Sequence, residues 1–338
     1  MTPAIATRAT TAATMKAVMQ EGSGTAAKAL QFREIPVPTI TDDEVLLRVL
    51  ATSVNAADYH AMHGGFIVTV VGKVMRSPEK SVAGSDASGH VEAVGANVKT
   101  LRPGDAVFGV ARGALAEYAV GNERGLVAKP ARLSFAQAGA IGVAATTALQ
   151  AVRDHGKVKA GDRILIFGAG GGVGTFAVQI AKALGAHVTA VTGPRTAELV
   201  RGLGADEVVD YTKEDVLRRP ARYDAVIDIA ATRRLGQLRG ALTPEGTLVM
   251  VGASKSGGMV GILLRILAQV IRRKVFGQRV IMFIAKLRQS DFKYLSELIE
   301  AGKLTPQIER EYAFAEAREA YDYAGSGKAR AKVVINVG

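Results

Sequence analysis

The chain has 338 residues, 48% hydrophobic and 22% charged, the make-up of an ordinary globular protein long enough for two domains with their own cores. It contains no cysteine, which excludes disulfides and every thiolate zinc site and is consistent with a reducing, cytoplasmic location. Its 43 Lys and Arg against 31 Asp and Glu give a net charge of +12 that can assist anionic partners but reads first as a basic, unspecialised surface, and 5% aromatic residues with no tryptophan offer scant stacking platform for nucleic acid.

Residues 1–14 are mostly Ala and Thr and read as a disordered leader. From Met15 the pattern is β-rich, with short strands at Lys16–Gln20 and Leu30–Ile35 and a longer one at Glu44–Val54. A polar loop or short helix follows over Ser53–His60, and then the Gly-punctuated block Val82–Gly95. The turn Arg102-Pro103-Gly104-Asp105 feeds a strand at Ala106–Val110, with another at Ala114–Val120. Closely spaced strands with such punctuation suggest a compact, partly barrel-like β domain. Ser134 caps a helical region that runs to Ala140, and a second helix covers Ala144–Asp154.

Beyond that point strands alternate with helices. The strands are Ile164–Phe167, His187–Val191, Glu207–Val209, Ala225–Ile229 and Thr247–Val251; the helices are Phe176–Leu184, Thr196–Leu203 and Arg234–Ala241. This alternation predicts a doubly wound parallel sheet. Met259–Val275 is basic and amphipathic but too interrupted, by Arg265 and Gln269, to reach the roughly 18 apolar residues of a membrane span. A strand at Arg279–Ile284, a helix at Phe292–Ala301 and a closing strand at Ala331–Val337 that returns to the first domain complete the chain. The expected fold class is α/β, with one β-rich domain over 15–140 and 287–338 and one doubly wound domain over 141–286.

The organising stretch is strand, glycine turn, helix, strand over residues 163–195. Ala169, Gly170, Gly171, Gly172, Val173 and Gly174 follow an apolar strand and open a helix that Gly185 stops. Glycines there let the chain turn sharply and let a pyrophosphate approach the backbone, and the helix N-terminus offers free N–H groups to the anion. The context fits a dinucleotide site. NAD-binding versions place an acidic residue at the end of the second strand; here Thr192, Gly193, Pro194 and Arg195 stand there. With no carboxylate to repel a 2′-phosphate and an Arg195 fork able to pair with one, the sequence favours NADPH over NADH.

Taken together these stretches resemble the medium-chain dehydrogenase/reductase superfamily, and within it the zinc-free quinone oxidoreductase, zeta-crystallin-like branch. The carriers are Glu44–Val49 with Ser53-Val54-Asn55, the block Gly84-Ser85-Asp86-Ala87-Ser88-Gly89, the turn Pro103-Gly104-Asp105, Ala145-Thr146-Thr147-Ala148, and the glycine turn. The resemblance implies a Rossmann domain beside a GroES-like catalytic domain. Zinc-dependent members carry Gly-His-Glu where this chain has Gly84-Ser85-Asp86, and they use cysteines that are missing here, so no metal site is expected. Asp86 reads as a structural hydrogen-bonding residue.

By the same resemblance the nicotinamide lies between the domains near Asn55, Asp58, Tyr59 and Thr146. Asn55 can hold an amide or ribose hydroxyl, and Tyr59 either donates a proton or serves as an aromatic wall. Tyr211 flanks the adenine or 2′-phosphate, Gly252, Ala253 and Phe283 lie near the nicotinamide end, and Lys332 is a further cofactor candidate. Asp228-Ile229-Ala230-Ala231 replaces the family's Asp-x-Val-Gly, and Gly142 stands where a proline is common. The implied activity is hydride transfer from NADPH to a quinone or an α,β-unsaturated carbonyl, in a homodimer paired through sheet edges. The alternative is a non-catalytic NADPH-binding protein whose basic surface, centred on residues 259–276, meets RNA or anionic membrane.

Overall fold

A computed structural model describes residues 14–63, 80–220, 222–251 and 277–338. The expected leader, the basic segment 259–276 and the cofactor candidates Gly252 and Ala253 lie outside the described residues.

The chain divides into two compact units, the first made of residues 1–143, 287–296 and 308–338, the second of 144–286 and 297–307. Residues 297–307 were expected in the first unit. The Gln179 side chain is one tie between that segment and the second unit: its Oε1 accepts the Thr305 N–H at 2.8 Å and its Nε2 donates to the Thr305 carbonyl at 3.1 Å.

In the first unit, β1 (Thr14–Glu21), α1 (Ala26–Ala29) and β2 (Leu30–Pro36) precede β3 (Val45–Val54) and α2 (Ala56–His63). Then come β4 (Lys80–Val82), β5 (Asp86–Val94), β6 (Ala106–Val110), β7 (Tyr118–Gly121), β8 (Leu126–Ala128) and α3 (Phe135–Gly139). β1 sits between β2 and β4 in a three-stranded antiparallel sheet. β3 is the hub of the larger sheet because it pairs with both β5 and β7, a branching in keeping with the partly barrel-like expectation. Nearly all of its ten residues are buried or half-buried, Val45, Leu47 and Val49 within one apolar cluster. The strand expected at Ala114–Val120 is shorter: Ala116 makes only a single bridge to Ala17 before β7 begins at Tyr118. Ser134 does cap its helix, accepting the Gln137 N–H at 3.1 Å while Gln137 Oε1 takes the Ser134 N–H at 3.0 Å.

The second unit is largely formed by α4 (Gly142–Leu149), β9 (Arg163–Phe167), α5 (Gly172–Ala183), β10 (His187–Thr192), α6 (Ala197–Gly202), β11 (Glu207–Asp210), β12 (Tyr223–Asp228), α7 (Leu235–Gly240), β13 (Leu242–Val251) and β14 (Arg279–Phe283). Its six strands lie in the order β11-β10-β9-β12-β13-β14, all parallel. β9 is central, and Ile164, Leu165, Ile166 and Phe167 are all buried, as a strand covered on both faces requires. The helix expected to run to Asp154 changes at Gln150 into a π-helical turn over Gln150–His155. Gln150 pairs with the Lys286 backbone in both directions, donating at 2.7 Å and accepting at 3.0 Å. A π turn of this kind is how a helix places one side chain off its regular spacing.

The chain then supplies α8 (Gln289–Glu300), β15 (Ile308–Ala313), α9 (Ala317–Gly325) and β16 (Lys332–Asn336). β16 returns to the first unit, antiparallel to β3, with Val333 opposite Val54.

Candidate functional site

In the second unit the glycines of the turn have distinct tasks. Gly168 has φ +78°, a left-handed conformation that favours glycine. A Cβ on Gly174 would sit 2.1 Å from the Gly168 carbonyl oxygen, and one on Gly170 would sit 2.3 Å from Thr196 Oγ1 and 2.6 Å from Thr192 Oγ1. Those two positions are fixed by close packing. Gly171, the N-cap of α5, meets only the Gly168 oxygen among the described residues, at 3.5 Å, so among them its face is open for a ligand. No side chain caps the twelve-residue helix that begins at Gly172, and its first N–H groups point the positive end of the helix dipole at an incoming anion.

At the end of β10, Thr192 and Thr196 are buried and their hydroxyls bond to one another. Tyr211 donates its backbone N–H to the Thr192 carbonyl at 3.1 Å. Its ring stands over Gly193, where an added Cβ would lie 3.2 Å from the Tyr211 hydroxyl, and the residue is 57% exposed. Arg195 is exposed in the 3-10 turn Pro194–Thr196. The nearby carboxylate on β11, Asp210, is tied to Thr212, and those hydrogen bonds hold it below the usual carboxylate range. Thus Thr192, Arg195 and Tyr211 gather beside Ala169–Gly174. Phe283, the candidate for the nicotinamide end, closes β14 at the edge of the sheet, with its ring centroid 4.3 Å from that of His155. Thr146 is buried within α4.

One feature of this unit lay beyond the sequence reading. Asp228, at the end of β12, is buried; its Oδ1 accepts the Ala231 N–H at 3.0 Å, while Oδ2 has no partner among the described residues. Burial raises its pKa, and Ala231 sits at φ +51°, a strained conformation for a residue with a side chain. This is the stretch that departs from the family's Asp-x-Val-Gly.

In the first unit a buried polar cluster forms where β3, α2, β5 and β16 meet. Lys332 donates to Asn55 Oδ1 at 2.7 Å and to Asp86 Oδ2 at 3.1 Å. Asp86 Oδ2 also accepts the Ser53 hydroxyl at 2.7 Å, and its Oδ1 accepts the Val143 N–H at 2.7 Å. A Cβ on Gly142 would lie only 2.1 Å from that Oδ1, which explains why this chain has glycine there. Asp58 accepts the Asn55 N–H at 3.0 Å, with Ser85 Oγ at 3.4 Å from its other oxygen. Burial first, and the like charge of Asp86 second, push the Asp58 carboxyl up to about 6, against the pull of the Asn55 N–H and Lys332. Burial followed by the two carboxylates also pushes the neighbouring Tyr321 hydroxyl well above its ordinary value.

So the structure brings Asn55, Asp58 and Lys332 together, and adds Ser53, Ser85 and Asp86. Lys332, a cofactor candidate from the sequence, is bonded to Asn55 and Asp86. A lysine inside the apolar strand KVVIN was the available signal for a buried ion pair. Tyr59 packs differently. Its ring lies so close to Gly325 that a Cβ there would be 1.7 Å away, and it packs against the His63 ring with centroids 4.0 Å apart.

Comparison with known proteins gives a consistent picture. Residues 41–131 match the alcohol dehydrogenase GroES-like domain and residues 203–335 the zinc-binding dehydrogenase family. The chloroplastic quinone-oxidoreductase QR1 of Triphysaria versicolor is 30% identical over 95% of this chain and 98% of its own length. The chloroplastic NADPH-dependent alkenal/one oxidoreductase of Arabidopsis thaliana is 32% identical over 89% of this chain and 74% of its own. The solved quinone oxidoreductase from Coxiella burnetii superposes with a TM-score of 0.83 at 31% identity, covering 96% of this chain and all of that one.

Proposed function

Because this chain belongs to the zinc-free quinone oxidoreductase branch of the medium-chain dehydrogenase/reductase superfamily, we propose that it is an NADPH-dependent reductase of quinones or α,β-unsaturated carbonyls. The observation that carries this reading is the glycine turn beside Thr192, Arg195 and Tyr211. An open Gly171 face at an uncapped helix N-terminus fits a pyrophosphate, and a β10 end whose following residues, Gly193, Pro194 and Arg195, carry no carboxylate and supply a guanidinium fits a 2′-phosphorylated ribose. The buried, unpartnered Asp228 Oδ2 fits a ribose hydroxyl as its missing donor. When bound, NADPH supplies the hydride that the substrate's electron-poor carbon accepts.

The chain's own residues do the rest by placement. Asn55 Nδ2 donates to the substrate carbonyl oxygen, where negative charge gathers as the hydride arrives. A fixed donor at such an oxygen is worth roughly 100-fold or more in rate. Holding the partners in attack geometry contributes on the order of 7–11 kcal/mol, without a strong acid or base. The reaction runs without zinc in this reading: the chain has no cysteine, and the oxygens of Asp86 are already engaged by Lys332, Ser53 and the Val143 N–H.

The test is NADPH oxidation against a panel of quinones, enones and simple aldehydes, with NADH in parallel. Turnover of quinones or enones with preference for NADPH is the expected result, and Arg195→Glu should erase that preference. NADPH binding with no turnover on any of them would overturn the enzymatic reading; equal use of NADH would overturn the cofactor assignment.

A further inference from the structure

Two buried polar atoms among the described residues lack a hydrogen-bond partner, Asp228 Oδ2 and Asn55 Nδ2. The first belongs with the nucleotide turn. The second stands in a different setting, because the orientation of its carboxamide is dictated by its neighbours.

An ammonium carries only donors, and a carboxamide carries one acceptor atom. With Lys332 Nζ at 2.7 Å the Asn55 oxygen is committed, and the NH2 group must take the opposite side. Lys332 is held in turn by Asp86 at 3.1 Å, the two side chains being 2% and 0% exposed, and Asp86 is fixed by Ser53 and the Val143 N–H. Position along the chain gives the same conclusion. Asn55 immediately precedes α2, with the Tyr59 N–H bonded to its carbonyl at 3.1 Å and its own N–H on Asp58. An asparagine in that place ordinarily turns its side-chain oxygen onto an N–H of the first helical turn. Here a lysine 277 positions away takes the oxygen instead. Nδ2 pulls weakly on the Asp58 carboxylate without reaching hydrogen-bond geometry. A buried donor without an acceptor opposes folding, and proteins keep such local conflicts at functional sites.

We propose that Lys332 is a positioning residue for substrate recognition: it locks the Asn55 carboxamide so that Nδ2 is a dedicated donor to the oxygen of the substrate's conjugated carbonyl. The inference rests on the quinone and enone reading above and gives its carbonyl a named partner. Lys332 itself touches no reacting atom; its bond to Asp86 holds it in place.

The experiment pairs Lys332→Met with Asp86→Asn, so that no buried charge is left uncompensated. NADPH affinity, measured by direct titration, should stay within about twofold, while kcat on an enone falls roughly tenfold or more. Asn55→Ala should lower kcat at least as far, and adding the paired substitutions to Asn55→Ala should cause no further fall, since Lys332 acts through Asn55. Lys332→Arg, which retains a donor for the Asn55 oxygen, should recover most of the loss. Only four asparagines occur, at 55, 97, 122 and 336, so isotope-labelled asparagine gives a resolvable set of side-chain amide signals. The Asn55 pair should shift or broaden in the paired variant. If the paired variant does not fold, Asn55→Asp, which keeps an oxygen for Lys332 but loses Nδ2, should show the kcat loss of Asn55→Ala.

Unchanged kcat in the paired variant, additive loss in the Asn55→Ala background, or loss of NADPH affinity in place of kcat would each overturn the proposal. Wild-type protein inactive on every quinone and enone would instead sink the functional reading. The amide signals would then still decide whether Lys332 orients Asn55.

Discussion

The glycine turn and the Asn55–Asp86–Lys332 cluster are built in opposite ways. The turn is backbone: within Gly168–Gly174 no side chain ionises, and what matters is where a Cβ would be too close. The cluster is side chain: its central lysine reaches partners 277 and 246 positions away, and each atom has its place only because another charge or dipole holds it. A site made of backbone is written in one contiguous string of residues. One made of side chains exists only after β3, β5 and β16 have paired.

If that contrast is right, the cluster should be the more fragile of the two to a single truncation. Asp86→Ala strands a buried ammonium and removes an acceptor from Ser53 and the Val143 N–H, so it should cost about 3–5 kcal/mol in urea unfolding. The combined Lys332→Met and Asp86→Asn change, which removes both charges, should cost much less. Equal losses would mean that charge balance is not what organises the cluster.

The turn should respond according to position. Gly174→Ala drives a Cβ to 2.1 Å from a backbone oxygen and should lower stability by roughly 2–4 kcal/mol. Gly171→Ala meets nothing nearer than 3.5 Å among the described residues, so its melting temperature should hardly move. Its methyl group occupies the face proposed for the pyrophosphate, and NADPH affinity should fall. Identical effects from the two would break the division between packing glycines and ligand-facing glycines.

The order of strands and helices, the glycine turn and the return of the last strand could be read from the sequence because hydrophobic period and turn chemistry are local. What could not be read follows from distance along the chain. Gly142 looked like an unexplained departure until Asp86 was seen to need the space above it. Gln179 on α5 pairs with the Thr305 backbone and Gln150 in the π turn pairs with the Lys286 backbone, across 126 and 136 positions of the chain. Asn55, Asp58 and Lys332 were each named from the sequence by resemblance, but their mutual contacts, and the engagement of Lys332 by Asp86, needed the fold.

The smallest expected effect is also the most specific to the cluster. Asp58 has its pKa raised from an ordinary 3.8 to about 6, so between those values the folded protein binds a proton that the unfolded chain has released. Stability from this group therefore falls as pH rises through that window and stays low above it. Asp58→Asn cannot ionise and lacks the slope. Relative to wild type the variant should gain roughly 1–2 kcal/mol on going from about pH 4 to about pH 7, after allowance for partial exposure and for the neighbouring Asp86, Lys332 and Tyr321. Paired thermal melts across that range measure it. A flat difference would mean that Asp58 titrates as an ordinary carboxylate. A slope of the expected sign belongs to the cluster, since Gly168–Gly174 contains nothing that takes up a proton.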